Sequence, residues 1–212
     1  MEINPAEVPA NALNKIILGA VVPRPIAWVS TINEKGQPNL APFSFFNAVC
    51  TRPPTLLFCP GVRGTDASAK DTYHNIRATK EFVINIVTEE TAQAMNLSAT
   101  ELPPEVSEFE FAGLTPAASA KVRPPRVAES PVNFECILRQ IVDVGDGSPG
   151  SGWVIIGEVV HIQVADRVLL PDYKIDILAL KPIGRLAGSN YAHIRDIFEM
   201  KRLPSQIAAK QP

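Results

Sequence analysis

Two stretches in the first quarter of the chain mix hydroxyl and amide side chains with aromatic rings. The first stretch is PRPIAWVST over residues 23–31, and the second is NLAPFSFFN over residues 39–47. The polar members that a purely structural strand pair would not need among its aromatic residues are Ser30, Thr31, Ser44 and Asn47. Hydroxyls and an amide beside a flat aromatic lining suit a planar heteroaromatic ligand with a polar edge. The alternative is an ordinary polar strand edge, and the residue types alone leave both interpretations open.

The run Lys70-Asp71-Thr72 stands at the start of a predicted helix over residues 71–79. Free N–H groups at a helix N-terminus form an anion site, and the Lys70 ammonium adds a full positive charge. Together with Arg24, this helix start could hold a phosphate group. The two features together suit a planar, phosphorylated cofactor, and an ordinary polar strand edge stays the alternative.

Several common catalytic motifs are missing from the sequence. It contains no GxxxxGK[ST], no HExxH and no GxSxG, and its one GxGxxG, at residues 145–150, lies in a loop between two predicted strands and does not open a helix. This disfavours a Rossmann dehydrogenase, a P-loop NTPase, a zincin and an α/β-hydrolase. The histidines at 74, 161 and 193 and the cysteines at 50, 59 and 136 show no metal-ligand spacing. We therefore expect no metal site and no disulfide framework, with the cysteines acting as small buried hydrophobic residues.

Composition narrows the class of protein further. The 212 residues carry 20 Lys plus Arg against 22 Asp plus Glu, a formal net charge of −2, which argues against a nucleic-acid partner. The N-terminal residues have no signal-peptide pattern, and no apolar run approaches the length of a membrane span, so we expect a cytoplasmic protein without a membrane partner. With 46% hydrophobic residues and no linker, we expect one domain over residues 1–212.

Twenty prolines favour short strands with rigid corners over a helical bundle. Hydrophobic patterning predicts strands over residues 26–32, 39–49, 55–59, 81–87, 132–144, 153–164 and about 177–180. It predicts helices over residues 71–79 and 88–99, and a weak helix from residue 194. Residues 100–130, broken by prolines, are expected to form a long surface excursion. Together, these predicted strands and helices indicate a barrel-like antiparallel β domain with a few helices.

The motifs PRPIAWVST, NLAPFSFFNAV, RPPTLLF and KDTYHNIRATKEFVINIV, with GRLAGSNYAHI later in the chain, resemble those of the flavin reductase-like proteins. The resemblance covers about residues 13–195, and the motifs follow in the expected order. It implies a mainly β fold with few helices, a six-stranded antiparallel FMN-binding split β-barrel. It also implies a homodimer with one FMN per subunit near the dimer interface.

The resemblance also implies roles for individual residues. For the flavin phosphate it implies Arg24 and Lys70, helped by Thr31 and Thr72, with Asp71 as a ligand or a helix cap. For the polar edge of the flavin and its ribityl chain it implies Ser30, Ser44 and Asn47. For the shape of the slot it implies Trp28, Pro42 and Phe45. Tyr191 and His193 are expected near the isoalloxazine or the nicotinamide, and His193 is the one candidate for a catalytic role.

The activity implied is hydride transfer from NADH or NADPH to FMN, or to FAD, by an NAD(P)H:flavin oxidoreductase. Reduced flavin would then either leave to supply a partner monooxygenase or stay bound and pass electrons on. The alternatives are a non-catalytic FMN electron carrier of the flavoredoxin type, which serves a redox partner protein, and a dimeric scaffold without cofactor. No ribose-reading motif chooses between the two nucleotides. Residues 100–130 are expected to shape either the nucleotide pocket or the dimer contact.

Overall fold

The computed structural model describes residues 1–103 and 106–206. Its helices are α1 (Ala10–Ala20), α2 (Asp71–Thr79), α3 (Ala92–Leu97), α4 (Glu108–Phe111) and α5 (Ile177–Leu180). Its strands are β1 (Ala27–Ile32), β2 (Pro38–Phe43), β3 (Phe46–Thr51), β4 (Pro54–Phe58), β5 (Glu81–Ile86), β6 (Pro116–Ala117), β7 (Arg126–Val127), β8 (Val132–Val144), β9 (Gly152–Val164), β10 (Leu169–Leu170), β11 (Lys174–Ile175), β12 (Ile183–Arg185) and β13 (Tyr191–His193). None of the helices within these residues is long and apolar enough to cross a membrane.

Seven strands form one antiparallel sheet in the order β2-β1-β5-β8-β9-β4-β3. β2 and β3 lie at opposite edges of this sheet, although only Ser44 and Phe45 connect them. The ends of the two strands, Phe43 and Phe46, are three residues apart and so lie at most roughly 10 Å from each other, which requires the sheet to curl until its two edges come close together. The edges do not pair, and the result is a split barrel whose opening lies at Ser44. The predicted fold class is confirmed, with seven strands in the sheet where the resemblance implied six.

The interior of the barrel is filled by aromatic and branched side chains. The Phe58 ring lies 5.1 Å from Phe43 and 5.6 Å from Phe82, centroid to centroid. Phe82 also requires glycine at position 157, because a Cβ there would stand 2.3 Å from the Phe82 ring. This close approach allows β9 to cross the barrel directly above the ring.

A second apolar cluster lies on the outer face of β1, and the chain after β5 covers it. Trp28 on β1 is fully buried there, together with Met95 of α3 and Phe109 of α4. Glu135 holds the proline-rich excursion, residues 100–130, against the sheet. Its buried carboxylate accepts hydrogen bonds from the backbone N–H groups of residues 120 and 121. β1 is therefore buried on both faces, which has consequences for the site.

Several predicted elements need correction. The helix over residues 71–79 is confirmed, whereas the helix predicted over 88–99 is limited to α3. The strand predicted over 39–49 is wrong because the chain turns at residues 44 and 45. The strand predicted at 177–180 is α5, whose start is capped by the Asp176 carboxylate. No helix forms in the described residues after 194, and α1 was not predicted at all.

Candidate functional site

Three adjoining cavities follow the opening of the split barrel. Their volumes are about 490, 240 and 70 Å³, and Pro42 borders all three. Ser44 and Arg185 border the two larger ones. Together they form a groove, which we call the barrel groove, that runs from the start of α2 past the barrel opening. Its total size lies in the range of small-molecule sites.

The 70 Å³ cavity at one end of the barrel groove combines a helix start with positive charge. Lys70 is the N-cap residue of α2 and makes no side-chain cap hydrogen bond. Its Nζ lies 5.5 Å from the centroid of the Phe43 ring, and burial lowers the pKa of Lys70, an effect that the charge of Glu101 opposes. Arg63 borders the same cavity and pairs with Asp71. A partly buried ammonium beside an uncapped helix N-terminus suits an anion.

Asn39 connects this cavity to the interior through a hydrogen-bond network. Its Oδ1 accepts from the Thr72 hydroxyl at 3.0 Å and from the Thr31 hydroxyl at 3.2 Å. Its Nδ2 donates to Glu108 at 2.9 Å, and burial raises the pKa of Glu108. The protons of both hydroxyls are therefore already used. Thr31 is fully buried and cannot reach a ligand, whereas Thr72 still borders the cavity.

Arg24 borders the 490 Å³ cavity, but its guanidinium is engaged by its own protein. Its Nε donates to the Ser44 hydroxyl at 3.4 Å. Its Nη1 donates to the carbonyls of residues 18 and 21 at 2.8 and 2.7 Å, and its Nη2 donates to the carbonyl of residue 186 at 2.9 Å. Burial and the nearby charge of Arg185 lower the pKa of Arg24. Arg24 thus braces the end of α1 against the loop after β12. This geometry disfavours the phosphate contact that the resemblance implied.

Trp28 and Ser30 lie on β1, where neither side chain has any exposed surface. The Trp28 indole donates to the Ser98 hydroxyl at 2.8 Å, and the Ser30 hydroxyl donates to the carbonyl of residue 125. The expectation that they touch the ligand is therefore corrected. Both side chains belong to the core, because α3 and the proline-rich excursion cover the outer face of β1.

The barrel opening brings together other predicted residues. Pro42, Ser44 and Phe45 all border the 490 Å³ cavity, and 46% of the Phe45 surface is exposed. Asn47 is exposed on β3, and its side-chain oxygen accepts from the neighbouring backbone N–H of residue 48. It borders none of the three cavities, so the structure does not bring Asn47 into the site.

Tyr191 and His193 lie on β13 but face different surroundings. Tyr191 borders the 240 Å³ cavity, and the Arg185 guanidinium lies 4.5 Å from its ring centroid. His193 borders a further cavity of about 480 Å³, which adjoins the 240 Å³ cavity because Tyr191, Met95 and Asn96 border both. Its Nδ1 lies 2.8 Å from Glu89, which also binds Arg195, and the Arg195 hydrogen bond lowers the pKa of Glu89 to about 2.

The structure adds residues to the site that the sequence did not single out. They are Asn39, Arg63, Glu108, Trp153 and Arg185. Asn39 and Arg185 stand inside the motifs NLAPFSFFN and GRLAGSNYAHI, so their position was a usable signal. Trp153 is brought to the groove by β9 and stacks on Tyr73 at 4.1 Å. No local pattern marks that contact.

Metal and thiol chemistry find little support. Among residues 1–103 and 106–206, no three His, Cys, Asp or Glu side chains are grouped closely enough to hold a metal ion. The cysteines differ in environment: Cys136 is buried as expected, whereas Cys59 is half-buried and Cys50 is exposed. The expectation of three buried cysteines therefore holds for one of them.

The barrel groove fits a flat ligand that carries one phosphate. The end at Lys70 offers a cation and helix N–H groups for an anion, while the opening offers Pro42 and Phe45 as apolar surface and the Ser44 hydroxyl as a polar contact. These residues match the donor set that a phosphorylated planar cofactor requires.

Comparisons with known proteins show the family and support the fold. The family model of the flavin reductase like domain matches residues 18–176. A protein of uncharacterised function from Aquifex aeolicus is 46% identical over 191 residues, covering 90% of this chain and 94% of that protein. The crystal structure of nitrilotriacetate monooxygenase component B from Bacillus cereus superposes with a TM-score of 0.89 at 36% identity, covering 94% and 98% of the two chains. The Pseudomonas fluorescens 2-nitrobenzoate 2-nitroreductase NbaA gives a TM-score of 0.85 at 28% identity, covering 97% and 100%.

Proposed function

Because the chain belongs to the flavin reductase-like family, we propose that it is an NAD(P)H:flavin oxidoreductase that binds FMN in the barrel groove. Family membership itself supports a flavin cofactor and an oxidoreductase. The observation that carries the proposal is the continuity of the groove. One end holds Lys70 and the start of α2, and Pro42 connects that end to the apolar and polar surface at the barrel opening.

In this proposal Lys70 and the first N–H groups of α2 bind the phosphate. Pro42 and Phe45 cover part of the ring system, and the Ser44 hydroxyl contacts its polar edge. When bound, the flavin would accept a hydride from NADH or NADPH. Arg185 borders the groove at this point, and its positive charge would stabilise negative charge that develops on the ligand.

The size and charge of the phosphate end favour FMN over FAD. The cavity there measures only about 70 Å³. Glu101 and Glu108 border it and would repel a second phosphate group. A monophosphate is therefore the better match.

We extend the proposal to the fate of the reduced flavin, which would pass to a partner monooxygenase. The support is the similarity to the Bacillus cereus structure, which is described as component B of nitrilotriacetate monooxygenase. His193 has no catalytic part in this proposal because it pairs with Glu89 and borders none of the three cavities of the barrel groove.

The test is nucleotide oxidation by the purified protein, followed at 340 nm with FMN, FAD or riboflavin added. The expected result is oxidation of NADH or NADPH that depends on both protein and flavin and is fastest with FMN. Flavin and nucleotide without protein give the background rate. Flavin binding without oxidation of either nucleotide would refute the reductase activity and favour the electron carrier.

A further inference from the structure

The 70 Å³ cavity at the start of α2 is surrounded by more negative than positive charge. Two cations, Arg63 and Lys70, border it together with three carboxylates, Asp71, Glu101 and Glu108, which leaves a formal charge of −1. A bound phosphate monoester adds about −1.5 to −2 at pH 7. Because the cavity is small, these like charges lie close together, and such groups do not all stay ionised.

The three carboxylates differ in what compensates their charge. Asp71 pairs with Arg63. Glu101 is exposed to solvent, which screens its charge. Glu108 is half-buried, and in the described part of the chain no Lys, Arg or His forms an ion pair with it. Glu108 is therefore the carboxylate that an incoming negative charge neutralises most easily.

The carboxylate of Glu108 is held at the cavity by β2. Its Oε1 accepts a hydrogen bond from Asn39 Nδ2 at 2.9 Å, and its Oε2 accepts one from the backbone N–H of Leu40 at 3.2 Å. A carboxylate has about four acceptor positions, so an oxygen can take up a proton while both bonds remain. Burial raises the pKa of Glu108, and the charge of Asp71 acts in the same direction.

We propose that Glu108 takes up a proton when the phosphate of FMN enters this cavity, so that FMN binding is coupled to proton uptake. This inference rests on the proposed function, which assigns this end of the barrel groove to the phosphate. The proton comes from solvent and adds to a carboxylate oxygen. The neutral carboxyl no longer repels the phosphate and offers a hydrogen-bond donor in place of a negative charge.

The sign of the pH dependence follows from linkage. The complex holds one proton more than the unbound protein wherever Glu108 is neutral in the first and ionised in the second. Across that range the affinity for FMN falls as the pH rises. Riboflavin lacks the phosphate, so its binding leaves Glu108 unchanged.

Two other groups near the cavity exchange protons with solvent. Burial lowers the pKa of Lys70, and a bound phosphate would raise it again, so Lys70 takes up protons at high pH. The phosphate of FMN itself titrates near pH 6, at about the second pKa of a phosphate monoester. Both contributions remain when Glu108 is replaced. The difference between wild type and Glu108→Gln therefore isolates the proton on Glu108.

The test is isothermal titration calorimetry of flavin-free protein with FMN between pH 5 and pH 8. Buffers of different ionisation enthalpy give the number of protons taken up per FMN bound. The wild type is expected to take up more protons than Glu108→Gln, with a largest difference of about half a proton, and to show no difference with riboflavin. The matched control is Glu110→Gln, which removes an exposed carboxylate from the same helix and is expected to behave like the wild type.

The affinities from the same titrations give a second readout. Glu108→Gln is expected to bind FMN about tenfold more tightly than wild type at pH 8, where the carboxylate of the unbound protein is ionised. At pH 5 the two proteins are expected to differ by less than about twofold, because Glu108 is then largely neutral in both states. The affinity for riboflavin is expected to stay the same at every pH.

Thermal unfolding by circular dichroism checks that both variants are folded. If Glu108→Gln does not fold, wild type alone decides at pH 7, where the phosphate of unbound FMN is mostly a dianion. Proton uptake with FMN and none with riboflavin supports the proposal, and no uptake with FMN overturns it. Equal proton uptake by wild type and folded Glu108→Gln would overturn this proposal alone, whereas a wild type that does not bind FMN would overturn the proposed function as well.

Discussion

Replacing Lys70 with methionine tests the phosphate end of the barrel groove. Methionine keeps most of the apolar stem of the lysine and removes the ammonium group, whose nitrogen lies 5.5 Å from the centroid of the Phe43 ring. The prediction is a loss of affinity for FMN without a change in the fold. Riboflavin lacks the phosphate, and its affinity is expected to change by less than about twofold.

The magnitude follows from the environment of the lysine. A hydrogen bond to a charged group contributes about 1.5–3 kcal/mol, which corresponds to roughly a 10- to 150-fold change in the dissociation constant. The burial that lowers the pKa of Lys70 also reduces screening by water and strengthens its attraction for an anion. Glu101 and Glu108 border the same cavity and offset part of that attraction, so we expect a loss of about 30-fold.

The assay is a titration of flavin-free protein with FMN and with riboflavin, followed by the change in flavin fluorescence. The matched control is Arg77→Met, which removes one positive charge from the exposed surface at the other end of α2. This control is expected to bind both flavins like the wild type. An unchanged affinity for FMN, or an equal loss for riboflavin, would refute the assignment of Lys70 to the phosphate.

Three further predictions concern stability. Trp28→Ala is expected to lower the free energy of unfolding by about 3–5 kcal/mol in denaturant titrations, because the indole is fully buried. A variant with normal stability and a lost affinity for FMN would place Trp28 in the site instead. Glu135→Gln is expected to lower the free energy of unfolding by about 1.5–3 kcal/mol, because two backbone N–H groups lose a carboxylate acceptor. The same change is expected to increase proteolysis within residues 116–127. An unchanged cleavage rate would contradict this role. Glu89 has a folded-state pKa of about 2 against an ordinary 4.5, so its pairing stabilises the fold above pH 4.5 and is lost as the pH falls towards 2. Wild type is thus expected to lose more stability than Glu89→Gln between pH 7 and pH 3, and equal losses in both proteins would contradict the pairing.

The strands with strong β-branched patterns were predictable from the sequence, as for β5, β8 and β9. The break at Ser44 was not, because residues 39–49 look continuous and only the curling of the whole sheet separates β2 from β3. α5 was missed because four apolar residues fit a strand as well as a helix. The Asp176 cap was the available signal. α1 was missed although its sequence, ANALNKIILGA, has apolar residues at helical spacing.

The candidate site was predictable where its residues lie near the barrel opening or at the start of α2, as for Pro42, Ser44 and Lys70. It was not predictable on β1, where the sequence cannot show that Trp28 and Ser30 are covered by a segment about seventy or more residues later in the chain. Arg24 shows the same difficulty. A positive charge in a motif predicts an anion contact. The partners of Arg24 are instead backbone carbonyls and the Ser44 hydroxyl, which only the folded chain brings together.

The central claim is that this chain binds a flavin in the barrel groove and reduces it with a nicotinamide nucleotide. The most direct measurement is the visible spectrum of freshly purified protein under anaerobic conditions, before and after NADH and then NADPH are added, with FMN supplied if the protein is colourless. We predict a flavin spectrum that bleaches with at least one of the nucleotides. A protein that shows no flavin spectrum of its own and causes no bleaching of added FMN with either nucleotide would contradict the account.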